Sequence, residues 1–114
     1  EAPIKTSSRI DVPRSFARVG PGPVPVAGVA WAQDRGIRAV EVRVDGGPWN
    51  RARLAAEDNV DTWRQWVWQW DARPGSHRIE VRATDADGET QPEKRADPFP
   101  SGATGWHSTV VTVA

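Results

Sequence analysis

The stretch Trp63-Arg64-Gln65-Trp66-Val67-Trp68-Gln69-Trp70-Asp71 decides how this chain folds. Trp66, Trp68 and Trp70 recur with period 2, so in an extended strand they share one face. Gln65, Val67 and Gln69 take the other face and are mostly polar, which makes that side the wet one. Three neighbouring indoles on an inward face imply a core that a second layer must close. Turned outward, the same face would be a flat platform for sugar rings, and the chain a carbohydrate-binding or adhesion-type module.

The alternation returns twice downstream and upstream of this stretch. Val40, Val42 and Val44 lie opposite Glu41 and Arg43, and Ile79, Val81 and Ala83 lie opposite Arg78, Glu80 and Arg82. Each run reads as half buried and half wet, as a two-sheet sandwich requires. Ten Pro and ten Gly punctuate the chain, and no segment sustains a 3.6-residue period. Asp45-Gly46-Gly47, Arg73-Pro74-Gly75 and Asp87-Gly88 read as turns, glycine supplying the positive φ that tight hairpins need. The expectation is one all-β domain over 1–114, an antiparallel sandwich of about seven strands over 4–12, 24–32, 37–44, 49–54, 63–70, 77–84 and 106–113. Its expected core is Val40, Val42, Val44, Trp66, Trp68, Trp70, Ile79, Val81, Val111 and Val113. The polar, Pro/Gly-rich segment 89–105 reads as a long loop before the last strand.

Composition narrows the function. Lys plus Arg and Asp plus Glu number 15 each, a formal charge of zero, which argues against nucleic-acid or polybasic membrane binding. No apolar run approaches a bilayer span and no signal-peptide core is present, so no direct membrane insertion is expected. The chain has no Cys, which removes disulfides, thiolate catalysis and most zinc sites. It has no Met and starts at Glu1, and we expect it to be a piece of a larger protein. His77 and His107 lack a Ser, Cys or metal-ligand partner at motif spacing, and both read as structural or solvated. Asp85-Ala86-Asp87-Gly88-Glu89 superficially suggests a calcium loop, but its glycine comes too early for an EF-hand and the remaining ligands are missing. A hairpin-like turn fits better. No catalytic, cofactor-binding or metal-binding residue is assigned. Trp31 differs from the other indoles: with Val24, Val26 and Ala30 inward, Val29 and Trp31 point outward. An outward Trp is an interface candidate, the alternative being cover from the chain's own loop.

Several motifs then fall into a familiar order. Gly28-Val29-Ala30-Trp31 is followed by the run from Val40 through Asp45-Gly46-Gly47-Pro48-Trp49, then Ala52-Arg53-Leu54 and Trp63-x-x-Trp66. Pro74-Gly75 leads into Ile79-Glu80-Val81-Arg82-Ala83-Thr84-Asp85, then Gly88-x-Thr90-Gln91-Pro92 and Gly105-Trp106-His107. Together these resemble the C-terminal domain of the sulfite oxidase family, the molybdenum-cofactor oxidoreductase dimerisation domain, over nearly the whole chain. The resemblance implies an immunoglobulin-like sandwich that is itself non-catalytic and carries no cofactor. Its partner would be a molybdopterin-binding catalytic domain of the same chain, which supplies the cysteine ligand to molybdenum. A homodimer contact is also implied. Family members commonly have an Asn-rich stretch before the last strand and an Arg after the Trp-His pair; here 97–104 and Ser108 stand in those places. That departure is similar to a bacterial branch whose longer chains carry membrane helices ahead of the molybdenum domain, which implies an extracytoplasmic, membrane-anchored parent. In sulfite oxidases an Arg from the loop corresponding to Gln33-Asp34-Arg35-Gly36 looks into the anion pocket near molybdenum. The resemblance places Arg35 there, with Trp31 at the base of the loop, and Asp34 as a neighbour able to neutralise it.

Overall fold

The computed structural model describes residues 6–32, 35–56, 63–93 and 105–114. Through them run β1 (Ser7–Val12), β2 (Arg18–Val19), β3 (Gly22–Trp31), β4 (Ile37–Val44), β5 (Asn50–Arg51), β6 (Arg53–Leu54), β7 (Arg64–Ala72), β8 (Gly75–Asp85) and β9 (His107–Val113). They build two facing sheets, one of four strands in the order β1-β3-β7-β6 and one of five in the order β2-β9-β8-β4-β5. No helix occurs among the described residues.

The alternating runs pair as their periodicity demands. Val40, Val42 and Val44 of β4 stand opposite Ala83, Val81 and Ile79 of β8, so the apolar sides of both strands turn the same way. Trp66 and Trp70 of β7 are buried, with Trp68 half-buried between them, while Gln65, Val67 and Gln69 are exposed. The tryptophan face therefore points inward and closes the core from the four-stranded sheet. Val40, Val42, Ile79, Val81, Val111 and Val113 fill it from the other side, and Val44 packs at its margin. Each such aliphatic side chain contributes roughly 1.5–3 kcal/mol when fully buried. Gly28, opposite Trp66, lets the β1 backbone come close: a Cβ there would lie 1.9 Å from the Arg9 carbonyl oxygen, and 3.0 Å from the Trp66 ring.

Three expectations need correction. The expected strand over 49–54 is two short strands with Ala52 between them; β5 pairs with β4 in one sheet and β6 with β7 in the other. Ala52 is buried and its N–H donates to Val40 O at 2.8 Å, so the chain crosses between sheets there, at a small residue that fits the gap. β2 was not expected, and it pairs with β9 in parallel, so the sandwich is not wholly antiparallel. Two residues between Pro13 and Gly20 are too few to show a period. The first strand begins at Ser7; residues 1–5, like 94–104 of the expected long loop, lie outside the described residues. The turn at Asp45-Gly46 is the expected tight hairpin, with φ of 55° and 72° and Gly47 N–H closing onto Val44 O at 3.0 Å.

Candidate functional site

Trp31 ends β3 on its outward side, as the alternation required. It is half-buried because Trp63 stacks on it, centroids 5.1 Å apart and planes 21° from parallel. The Arg9 guanidinium sits 5.2 Å from the Trp63 ring centre. Trp63 remains 55% exposed, so the chain's own cover over Trp31 is itself an open aromatic surface. Arg35 follows at a tight turn in which its N–H and that of Gly36 both donate to Ala32 O. Its Nε lies 3.0 Å from Asp85 Oδ2, fifty residues away in sequence. The expected neighbour Asp34 is outside the described residues; among the described residues Asp85 is a carboxylate that holds Arg35.

Asp85 is 1% exposed and ties three segments together. Its Oδ2 accepts from Thr6 Oγ1 at 3.1 Å as well as from Arg35, and its Oδ1 accepts from the N–H groups of Asp87 and Glu89 at 3.0 Å each. Burial works against its charge, yet the Glu89 N–H, the Thr6 hydroxyl and the Arg35 guanidinium outweigh that and hold the carboxyl below its ordinary range. The Asp85-to-Glu89 segment is thus a carboxylate-capped turn joining β8 to a bridge at Thr90, in keeping with the turn reading. Among the described residues no three His, Cys, Asp or Glu side chains converge as metal ligands.

The outward face of the four-stranded sheet is unusual for a solvated sheet. In β3 the outward positions are Pro23, Pro25, Ala27, Val29 and Trp31, with nothing polar among them. Register sets Val12 and Val67 on either side of Ala27, and Arg9 and Gln65 on either side of Val29. Val12 is 46% and Val67 40% exposed. Ala27, Val29, Leu54, Ala55 and Val67 line a groove of about 430 Å³, with Asp11, Arg53 and Gln65 among its polar groups. Trp66 borders the same groove, and its buried indole N–H has no hydrogen-bond partner among the described residues.

The outward face of the five-stranded sheet is built differently. Glu41 faces Arg82 and Arg43 faces Glu80 across β4 and β8, each pair at 2.8 Å. Trp49 and Trp106 meet edge to face above them, centroids 4.9 Å apart. The Arg82 guanidinium is 4.1 Å from the Trp49 ring centre, and that of Arg43 is 4.7 Å from Trp49 and 4.9 Å from Trp106. Trp106 Nε1–H donates to Gln91 O at 2.9 Å. Gln91, itself buried, accepts at Oε1 from Ser8 Oγ and from Ala83 N–H, and donates from Nε2 to Gly105 O. Sequence reading missed this arrangement. Its traces were Trp49, the Thr90-Gln91-Pro92 step and Trp106 in the motif order, with nothing local to bring them together.

Both histidines are structural. His77 Nδ1 lies 2.6 Å from Asp45 Oδ2 and its Nε2 2.7 Å from Arg73 O, linking the turns at one end of the sandwich. His107 Nδ1 accepts from Ile10 N–H at 2.9 Å, joining β9 of one sheet to β1 of the other.

No protein-family model matches the sequence, and no curated protein does. Solved structures do match. The chain is similar to part of the sulfane dehydrogenase SoxCD from Paracoccus pantotrophus, with 25% identity and a TM-score of 0.80 over 97% of this chain and 33% of that one. It is also similar to the fibronectin(III)-like modules of CbhA from Clostridium thermocellum, at 20% identity and TM-score 0.60 over 96% of both chains. The second likeness shows the fold alone, and this chain spans only a third of the sulfane dehydrogenase chain it resembles. The chain is thus an immunoglobulin- or fibronectin-like β-sandwich whose architecture recurs inside a longer sulfane dehydrogenase polypeptide.

Proposed function

We propose that this chain is the non-catalytic accessory domain of a molybdopterin-dependent oxidoreductase of the sulfite oxidase type, packed on the catalytic domain of the same polypeptide. The observation that carries the reading is the 0.80 TM-score over 97% of this chain against only 33% of the sulfane dehydrogenase chain. The motif order from Gly28 to His107 supports it. The residues here do not suit a molybdenum site: there is no Cys, and no three-ligand cluster among the described residues. The cofactor therefore belongs to the other domain, and no chemical step is assigned to this one. A bacterial parent anchored in a membrane, with this domain on the extracytoplasmic side, and a homodimer contact belong to the same proposal.

The docking face is the outer side of the four-stranded sheet. Its apolar β3 stripe and the exposed Trp63 over Trp31 give the uncharged centre that such interfaces have. Arg35 follows Trp31 by four residues in the chain, and its Nε is held by a buried carboxylate. A guanidinium steadied in this way reaches across to the anion pocket of the catalytic domain at little further entropic cost. The sugar-platform alternative loses its basis, because Trp66 and Trp70 are core residues.

The polypeptide that carries these 114 residues, purified whole, should hold molybdenum, while this chain alone should not. In the whole enzyme Arg35→Lys should raise KM for an anionic substrate several-fold with kcat little changed. A whole polypeptide free of molybdenum sinks the reading, and an unchanged KM removes Arg35 from it.

A further inference from the structure

A β-sheet ends in strands whose outer N–H and C=O groups lack a neighbour, and an uncovered edge is a template for another strand. In this sandwich the chain itself closes most such stretches. Along β4, Val40 O accepts from Ala52 N–H at 2.8 Å, Val42 O from Asn50 Nδ2 at 3.2 Å and Ile37 O from Arg64 Nη1 at 3.2 Å. Along β9, Val110 O accepts from Phe16 N–H, Thr112 N–H donates to Ala17 O and Ala114 N–H to Val19 O. β1 is buried at Ser8 and Ile10, and the Ile10 N–H donates to His107 Nδ1. β3 pairs with β1 only from Trp31 back to Ala27, which leaves one side of its first residues without a strand. Because Ile10 turns its N–H away from β3, the odd-numbered residues of β3 are those that bond toward β1. Pro23 and Pro25 fall at such positions and have no N–H to offer, so this stretch is blunted by its own sequence.

β7 is different. One side of it pairs with β3 from Arg64 to Ala72, but β6 covers the other side only at Trp66 and Val67. Ala55 N–H donates to Gln65 O, so Gln65 and, at every second residue, Val67, Gln69 and Asp71 turn their main-chain groups to the β6 side. The chain changes sheets at Ala52, and among the described residues nothing pairs with Gln69 or Asp71 there. Both are exposed. Their register partners on β3 are Pro25 and Pro23, so a blunted edge and an open one flank the same pair of strands. Beside the open edge a cleft of about 450 Å³ lies between Arg51, Ala52 and Arg53 on one side and Val67, Trp68 and Gln69 on the other. The stretch also has a charge polarity. Arg53, opposite Val67, stands at one end and Asp71 at the other; both are exposed, and neither makes an ion pair among the described residues.

We infer that the β7 edge over 69–71 is where two copies of this chain pair, antiparallel about a two-fold at Trp70, joining their four-stranded sheets into one. The inference rests on the reading above for a homodimer contact and gives that contact a place. In this register Gln69 stands opposite the partner's Asp71, and Asp71 opposite the partner's Gln69. Each pair exchanges both main-chain bonds, and the two-fold makes the two pairs equivalent. Each Asp71 is brought toward the partner's Arg53, which a parallel approach does not do. The turn Arg73-Pro74-Gly75 carries the chain out of the sheet to β8, so the strand ends before it meets the partner's β6. Both halves of the contact are groups of this one chain, as an isologous interface requires. The outer faces of both sheets stay free for the catalytic domain.

Sedimentation and amide exchange test it without reference to activity. The 114-residue chain should sediment as one copy when dilute and as two when concentrated, with the Gln69 and Asp71 amides exchanging more slowly in the concentrated sample. Gln69→Pro removes an N–H from the open side and none from the β3 ladder, so it should keep the parent's circular dichroism and weaken association by about tenfold or more. Asp71→Arg and Arg53→Asp should each weaken association several-fold, and together should restore it. Should Gln69→Pro fail to fold, the charge pair decides alone. A chain that stays single up to about millimolar concentration, or that pairs equally well in every variant, overturns the inference. A whole polypeptide that holds molybdenum but sediments as one copy overturns the pairing and leaves the accessory-domain reading standing. One that pairs through this edge and holds no molybdenum does the reverse.

Discussion

The two outer faces of this sandwich are finished to different degrees. Above the five-stranded sheet, Glu41, Arg43, Glu80 and Arg82 meet in opposite-charge pairs beneath Trp49 and Trp106, and Gln91 fastens the roof. Above the four-stranded sheet, β3 offers five outward residues without a charge, a groove, and a Trp63 that is half bare. The two sheets share one core, so the difference does not come from separate packing inside. A sheet that completes its own outer layer needs nothing more; a sheet that leaves Val12, Val67 and Trp63 exposed bears a hydration cost that a partner removes. The comparison predicts that substitutions on the first face harm the domain, and on the second harm only its docking.

The core shared by the two faces sets the largest effect. Val81→Asp should abolish folding, because an unpaired carboxylate at a fully buried position costs several kcal/mol, about the whole stability of a small domain. Circular dichroism and a thermal scan check this. A variant that melts like the parent would mean that the strand faces are assigned backwards, and with them both outer faces.

The faces themselves separate in a matched pair. Trp106→Ala removes a half-buried indole, its bond to Gln91 O and its contacts with Trp49 and Arg43, and should cost the isolated domain about 2–3 kcal/mol. Trp63→Ala removes one member of an exposed stack and should cost about 1 kcal/mol or less. Urea midpoints measure both. Equal losses would show that Trp63 is ordinary cover for Trp31, and the four-stranded face would then be finished as well.

How far the sequence foretold this division depends on distance along the chain. The inward set of Trp66 and Trp70 was legible because Gln65 and Gln69 between them are polar, a purely local contrast. Outward Trp31 followed from the same counting along β3. The sheet crossing at Ala52 was not legible, since Trp49 to Leu54 carries one uninterrupted strand-like composition and only tertiary space decides where it changes partner. Arg35 was singled out, but its partner Asp85 is fifty residues away and belongs to a segment that reads locally as a turn. The Trp49–Trp106 roof draws on three separate segments for the same reason. The open stretch of β7 passed unnoticed because a period of 2 tells the faces of a strand and not its neighbours.

The smallest effect tests the seams between the faces, where the two histidines pull in opposite directions with pH. His77 lies between a carboxylate and a carbonyl, both pure acceptors, so both ring nitrogens must carry protons. Its hydrogen bond with Asp45 raises its pKa above 6.5, against burial and with help from the Arg73 carbonyl. The folded state then holds the proton more tightly than the unfolded chain. The contribution of His77 is full below about pH 6.5 and is lost as pH rises through the folded pKa. His107 is the reverse case. Burial lowers its pKa, and its Nδ1 must stay unprotonated to accept the Ile10 N–H, so its contribution is present above about pH 6.5 and lost as pH falls through the folded value. Urea midpoints between about pH 5.5 and 8.5 should therefore tilt oppositely in two variants. His77→Gln leaves His107 alone and should gain stability as pH rises. His107→Asn keeps an acceptor for Ile10 without a titration and should lose stability as pH rises. Slopes of the same sign in the two variants would mean that one of these seams is not closed by its histidine. If the flat profile belongs to His77→Gln, the seam that binds β1, and with it the edge of the unfinished face, to the five-stranded sheet relies on packing alone.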